Sequence, residues 1–166
     1  MKRIIIILFS PILIFSQGVT ISHLPGNVNT YNSELNFFQI DDNTAYYTST
    51  TLEEDLYQSA IFSSTLIDGR WQKGKYINLG NWYSTANSHF PKNELVFYFS
   101  VCDSQGNCKI AIRNYKNQIT LELNSNINLL NSTNTQPHIA IHTTQKVMYF
   151  SSDREGGFGG MDIWLS

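Results

Sequence analysis

The segments AYYTS at 45–49, VFYFS at 96–100 and VMYFS at 147–151 determine the fold expected for this chain, because each begins 51 residues after the last. Each copy starts with an apolar residue, has a tyrosine at its third place and ends in serine. Short runs rich in aromatic residues and bounded by turn residues are typical of β-strands. Tyr47, Tyr98 and Tyr149 therefore mark one strand that recurs with a 51-residue period.

A second set of residues keeps the same spacing. Ile61, Ile112 and Ile163 each stand at the centre of a three-residue segment, AIF at 60–62, AIR at 111–113 and DIW at 162–164, and they are again 51 residues apart. Two strands with a constant interval between them indicate one hairpin. The sequence therefore predicts that the same hairpin is built three times.

A period near 50 residues with about four short strands is typical of a β-propeller blade. A β-sandwich is the alternative, but it has no reason to repeat side-chain identities at a fixed long interval. The predicted fold is all-β: a partial β-propeller of about two and a half four-stranded antiparallel blades. Blade 1 is expected at about 24–80, blade 2 at about 81–130 and the start of blade 3 at about 131–166.

Composition excludes some classes of partner. The chain has 166 residues, of which 42% are hydrophobic and 14% charged, and its formal net charge is -2. Apart from the adjacent Lys2 and Arg3, its 11 basic residues are scattered singly, which gives no electrostatic footprint for nucleic acid or for an anionic membrane surface. The aromatic residues are interpreted as packing between strands, and a nucleic-acid partner is not expected.

The N-terminal segment differs in kind from the rest of the chain. Lys2 and Arg3 precede an apolar run at 4–15, which is too short to cross a bilayer core of about 30 Å as a helix. This order predicts a signal peptide at 1–17, with no membrane span after its cleavage. A buried N-terminal strand is the alternative, and Pro11 disfavours it. The protein is accordingly expected to be exported to the periplasm, associated with the outer membrane, or secreted.

Cys102 and Cys108 are the only two cysteines. The residues between them, 103–107, have the composition of a turn. In an oxidising compartment the pair is a candidate disulfide across the base of a hairpin. Two unpaired thiols on neighbouring strands are the alternative, and a metal site is a third, less favoured one.

The segment YFSSDREGGFGGMDIW at 149–164 closely resembles the WD-like, TolB-type β-propeller repeat of Bacteroidota cell-envelope proteins. The family repeat reads as an aromatic strand, Ser-Ser-Asp-Arg, a glycine-rich turn, and Asp-Ile-Tyr or Asp-Ile-Trp. The third copy matches nearly every position, including Asp153, Asp162 and Trp164. The two earlier copies depart from the pattern, since each has alanine where the third has Asp162 and neither has the glycine run.

The resemblance extends over roughly 24–166. It implies a segment of a cell-envelope protein that serves as a binding platform for another protein or a glycan. In this family such repeats usually form part of a longer protein. The last residues fall in the middle of a predicted blade, so we expect a truncated chain or the front part of a longer one, with unpaired strand edges that favour self-association.

No catalytic, cofactor-binding or metal-binding residue is predicted. The glycines at 156–160 suit a hairpin turn, since no helix follows to complete a phosphate site. Asp153 and Asp162 are expected to bond backbone amides at that turn, because calcium-ligand spacing is absent. His138 and His142 would lie roughly 13 Å apart on a strand, too far to bind one metal ion.

The function predicted from the sequence is thus a non-catalytic, exported propeller-repeat segment that binds a protein or glycan in the cell envelope. The alternative is a fragment of a propeller-type hydrolase or lyase that acts on envelope glycans or peptides. Such an enzyme would place a recurring polar triad or metal set near the blade entries. The sequence contains no such pattern.

Overall fold

The structure, a computed structural model, describes residues 21–24, 26–53, 56–91, 94–114, 138–142 and 144–166. These residues form antiparallel sheets without a helix, and strands account for 57% of them. The predicted all-β class is confirmed. The predicted signal peptide lies outside the described residues. Within the described ranges, no helix has the length and hydropathy needed to cross a membrane.

The first sheet is the largest, and it is curled. Its strands are β1 (Ser33–Gln39), β2 (Thr44–Glu53), β3 (Leu56–Ile67), β4 (Arg70–Trp71) and β5 (Lys75–Tyr76). They are ordered β1-β2-β3-β4, and β5 also pairs with β3. The long β2–β3 hairpin forms the centre of the sheet, with ten residue pairs in continuous register.

Two three-stranded sheets follow along the chain. The second consists of β6 (Ser84–His89), β7 (Val96–Cys102) and β8 (Cys108–Asn114) in that order. The third consists of β9 (Ile139–His142), β10 (Val147–Ser152) and β11 (Asp162–Leu165), again in chain order. All neighbouring strands in both sheets are antiparallel.

The three central hairpins differ in register. Tyr47 lies opposite Phe62, Tyr98 opposite Ile112, and Tyr149 opposite Leu165. The reason is the length of the connection, which has two residues between Glu53 and Leu56, five between Cys102 and Cys108, and nine between Ser152 and Asp162.

As a consequence, the three isoleucines of the repeat do not occupy equivalent positions. Ile61 is fully buried and Ile112 nearly so, whereas Ile163 is 76% exposed. The expected single hairpin is therefore three hairpins at even sequence intervals, each with its own pairing.

The main hydrophobic core lies between the first and second sheets. Tyr46 and Ile61 of the first sheet pack with Phe90 and with the β7 side chains Phe97 and Phe99. Phe90 is stacked at 4.9 Å from Phe97 and lies 4.7 Å from Tyr46, measured between ring centroids. Aromatic contacts of this kind add to the free energy gained by burying the rings. The core thus joins the two sheets into one packed unit.

A second, smaller cluster covers another part of the first sheet. It comprises Val28, Ala45, Tyr47 and Trp71. Asn27 donates a side-chain hydrogen bond to the Trp71 carbonyl at 3.1 Å, which holds the turn before β1 against the sheet. Burial, and secondarily the Glu34 carboxylate, raise the pKa of Tyr47. Tyr47 is therefore a neutral core residue.

Candidate functional site

The first strands of the three sheets contribute to one cleft of about 330 Å³, which we call the three-strand cleft. It is lined by 36–38 of β1, 87–89 of β6, and 138 and 139 at the start of β9. Asn36, Asn87 and His138 are successively 51 residues apart in the sequence. Three residues at equal sequence intervals thus line one cleft.

The same backbone irregularity shapes β1 and β6. The pairing register shifts between Leu35 and Phe38 in β1, and between Ala86 and His89 in β6. Asn36 and Asn87 lie within these bulges, and each has a φ of 53°. Asparagine adopts this left-handed conformation more readily than most residues.

The two asparagines join the sheets directly. The Asn36 amide nitrogen donates a hydrogen bond to the Asn87 amide oxygen at 3.0 Å. Both side chains line the three-strand cleft. Both partners of this bond are uncharged amides. The wall of the cleft is therefore neutral at this point.

His89 links the second sheet to the third. Its Nε2 accepts a hydrogen bond from the Ile141 backbone N–H at 3.2 Å. Burial lowers the pKa of His89, against a smaller opposite effect of the Glu94 carboxylate. The imidazole is therefore neutral at pH 7. Beside it in the cleft, the buried Ser88 hydroxyl has no hydrogen-bond partner among the described residues.

His138 and Ser151 form a tie between β9 and β10. The Ser151 hydroxyl lies 3.4 Å from His138 Nδ1 and accepts the His138 backbone N–H at 3.2 Å. The Ser151 N–H in turn donates to the His138 carbonyl at 3.1 Å. Ser151 is buried, and in the described part of the chain no carboxylate bonds to His138. These contacts hold two strands together. Within the described residues, no third group orients His138 as the general base that a nucleophilic triad requires.

The glycine-rich connection between β10 and β11 closes around Asp162. One carboxylate oxygen, Oδ2, accepts the Phe158 N–H at 2.8 Å and the Gly159 N–H at 3.3 Å. A side chain at Gly157 would collide with that oxygen, and Gly156 has a φ of 98°. Gly156 and Gly157 are therefore required by the geometry of this turn.

Arg154 packs on the aromatic residues of the third sheet. Its guanidinium carbon lies 4.6 Å from the Phe150 ring centroid and 5.5 Å from that of Trp164. The Trp164 indole N–H donates to the Ser152 carbonyl at 3.1 Å. This sandwich stabilises the start of the glycine-rich connection.

The acidic residues of the same hairpin do not converge. Over the described ranges, no group of three or more His, Cys, Asp or Glu side chains could hold a metal ion.

Cys102 and Cys108 face each other at the end of the β7–β8 hairpin, where the structure joins them in a disulfide. The Asp103 carboxylate organises the intervening turn, since its Oδ1 accepts the backbone N–H groups of Gln105 at 2.9 Å and Asn107 at 3.0 Å. Hydrogen bonds from the Asn107 side chain and backbone lower the pKa of Asp103.

A second cleft of about 330 Å³, which we call the neutral cleft, lies between the first sheet and the chain entering β6. Its aromatic walls are Phe62, Tyr76, Trp82 and Tyr83. Trp82 is 48% exposed and Tyr76 58% exposed. From the sequence, the aromatic residues are interpreted as packing between strands. Trp82 and Tyr76 instead expose about half of their surface to solvent.

The remaining lining of the neutral cleft is almost entirely hydroxyl and amide groups. These polar residues are Asn32, Ser49, Thr51, Gln58, Ser59 and Thr85. No charged residue lines the cleft. Sequence reasoning missed this site, because its residues come from separate strands and show no fixed spacing; only the adjacent Trp82 and Tyr83, outside the repeated strands, offered a signal.

No protein-family model, curated protein or solved structure matches the chain. The two clefts and the residues that shape them are the features of the described structure that bear on function.

Proposed function

We propose that the protein is a non-catalytic binding module of β-propeller type, exported to the cell envelope, which presents its clefts to a glycan or protein partner. In this proposal the three sheets are successive blades. Their strands fall within 24–80, 81–130 and 131–166, the intervals that the sequence repeat defines. The resemblance of 149–164 to the TolB-type repeat supports the same reading.

The observation that carries the proposal is the three-strand cleft. Blades of a propeller direct their first strands toward a common axis. Asn36, Asn87 and His138, at equal sequence intervals, line one cleft. The bulges around Asn36 and Asn87 involve residues 51 apart on both sides, which supports a structural repeat of that length.

The chemistry of the clefts supports binding over catalysis. In the three-strand cleft, the His89 Nε2 already accepts a hydrogen bond from a backbone N–H. His138 contacts the Ser151 hydroxyl, which itself bonds to the backbone. The Asn36–Asn87 bond presents neutral amides. Neutral donors and acceptors in a preformed recess suit recognition of an uncharged polar ligand.

Binding and turnover can be measured on the same purified chain. We expect saturable binding to envelope glycans or to envelope proteins without consumption of either. The chain is incubated with peptidoglycan fragments, neutral polysaccharides and peptides, and products are followed by mass spectrometry. Robust turnover would overturn the proposal in favour of the hydrolase or lyase alternative.

The role of the three-strand cleft is tested with Asn36→Gly and Asn87→Gly. Glycine tolerates the left-handed backbone at both positions, so these variants remove the amides and preserve the bulges. Ligand affinity should fall at least tenfold in the double variant if the ligand occupies this cleft. Asp68→Gly, at an exposed turn residue with a φ of 49°, is the matched control.

Export is tested separately. When the full chain is expressed with its own N terminus in a Gram-negative host, mature protein should appear in the periplasm, with its first residue near Gly18. Edman sequencing or intact mass gives the cleavage point. An uncleaved chain retained in the cytoplasm would contradict the export part of the proposal.

A further inference from the structure

We propose that the neutral cleft binds an uncharged saccharide, with Trp82 and Tyr76 as stacking surfaces and Gln58 as a hydrogen-bonding group. This inference rests on the binding function proposed above and assigns it a ligand class and a place. The three-strand cleft then has a structural role or a second ligand.

The aromatic residues supply flat apolar surfaces for the C–H face of a saccharide ring. A pyranose ring presents a face of C–H groups, which packs on the flat surface of an aromatic ring. Trp82 and Tyr76 both line the cleft and expose about half of their surface. Tyr76 lies opposite Phe62, and their rings meet edge to face at 6.1 Å, which fixes the orientation of the tyrosine.

The polar residues supply hydrogen-bonding groups for the hydroxyls of a saccharide. Hydrogen bonds within the protein hold these groups in place before a ligand binds. The Gln58 amide nitrogen donates to the Tyr83 carbonyl at 2.9 Å, so the amide is oriented with its oxygen available as an acceptor. Asn32 donates to the Ser49 hydroxyl at 3.1 Å, and Ser49 donates to the Glu34 carboxylate at 3.3 Å. Groups already ordered in the free protein lose less entropy on binding.

The charge pattern limits the ligand to neutral sugars. No lining residue is charged, so no group compensates the charge of a bound uronic acid, phosphate or ammonium group. The Glu34 carboxylate, directly behind Ser49, opposes an anion further. The volume of about 330 Å³ is at the lower end of small-molecule sites, which run from roughly 300 to 1,000 Å³. The cleft therefore suits a monosaccharide or the end of a glycan chain.

The first experiment screens the purified full chain on an array. The array carries neutral oligosaccharides of glucose, galactose, mannose and N-acetylglucosamine, with sialylated and uronic-acid oligosaccharides for comparison. We expect binding to at least one neutral structure and none to its charged counterparts. Binding confined to charged structures, or to none, would overturn the inference.

The second experiment locates the site with the best neutral oligosaccharide from the array. Isothermal titration should show at least a tenfold loss of affinity for Trp82→Ala and for Gln58→Ala. Tyr57→Ala is the matched control, since Tyr57 is an exposed aromatic residue of β3 outside the cleft lining, and it should bind within twofold of the wild type. Circular dichroism checks that all three variants are folded.

The failures of the two proposals have different signatures. If the oligosaccharide binds equally to Trp82→Ala and Gln58→Ala but is lost from the Asn36→Gly/Asn87→Gly variant, the neutral-cleft inference fails and the binding function stands. If a protein partner binds and no glycan does, the neutral-cleft inference again fails and the binding function again stands. If neither class of ligand binds, or the glycan is cleaved, both proposals fail.

Discussion

Single residues decide whether the turns of this molecule can close. The connection between β10 and β11 depends on an aspartate that replaces missing backbone hydrogen bonds and on a glycine that leaves room for it. Asp162 receives the Phe158 and Gly159 N–H groups, and Gly157 lies against its carboxylate. The Asp162–Gly157 pair therefore meets a physical requirement of the turn.

Gly157→Ala should destabilise the protein by about 1–3 kcal/mol, because the added methyl group displaces a hydrogen-bonded carboxylate. Gly159→Ala is the matched control, since nothing lies within 4 Å of a side chain at that position, and its effect should stay within about 0.5 kcal/mol. Urea unfolding measures both. Equal midpoints for the two variants would contradict the role given to Asp162.

His89 should make the stability of the protein depend on pH. Its pKa in the folded protein is below the ordinary value of 6.5, so the unfolded chain takes up the proton more readily. The free energy of unfolding therefore falls as the pH drops through 6.5 and below, and it is insensitive to this group well above that value. Protonation of Nε2 would also remove the acceptor of the Ile141 N–H.

The measurement is urea unfolding between pH 5 and pH 8. His89→Gln keeps an acceptor without a titrating group, so its free energy of unfolding should fall less steeply toward acid than that of the wild type. The other three histidines are present in both proteins. Superimposable pH profiles would show that His89 does not titrate in this way.

At the scale of elements, each hairpin is determined by its connection. The β7–β8 hairpin is closed by the Cys102–Cys108 disulfide and by the hydrogen bonds of Asp103. The β10–β11 hairpin uses the longer connection closed by Asp162. Different connections give different registers, which explains why equal sequence spacing does not bring Ile61 and Ile163 to equivalent positions.

Reduction of the disulfide should cost about 2 kcal/mol, the loop-entropy value for a ring closed by residues six apart. The test compares guanidinium unfolding of the wild type with and without dithiothreitol, and repeats it with Cys102→Ser/Cys108→Ser. The double variant should unfold at the midpoint of the reduced wild type and be unaffected by the reductant. A reduced protein as stable as the oxidised one would mean that the Asp103 turn alone holds the hairpin.

At the scale of the whole molecule, the sheets are joined by a chain of side-chain contacts. Phe90 follows β6 and packs between Tyr46 of the first sheet and Phe97 of the second. Asn36–Asn87 and His89–Ile141 then connect all three sheets by hydrogen bonds. The packing predicts that the first and second sheets unfold together.

Phe90→Ala should destabilise the protein by about 3–5 kcal/mol, the usual cost of removing a buried phenylalanine ring, while Phe90→Leu should cost distinctly less. Hydrogen exchange with mass spectrometry should show the β2–β3 and β7–β8 peptides losing protection together in the alanine variant. Loss of protection in one hairpin alone would show that the sheets are independent units.

Much of this fold could be anticipated from sequence, because strand formation and turn chemistry are local. The apolar and aromatic segments around Tyr47, Tyr98 and Tyr149 all lie in strands, and 103–107 forms a turn between two cysteines. The neutral cleft could not be anticipated. Asn32, Gln58 and Trp82 come together there only because the first sheet curls and the chain entering β6 returns to it.

The sequence by itself determined the all-β class, the positions of the principal strands and the chemistry of the turns, since each depends on residues within a few places of one another. Tertiary structure alone decided the burial of Ile61 against the exposure of Ile163, and the two clefts. The physical reason is that a strand residue is buried only where another part of the fold covers it, and a cleft forms where sheets distant in sequence meet and leave space between their side chains.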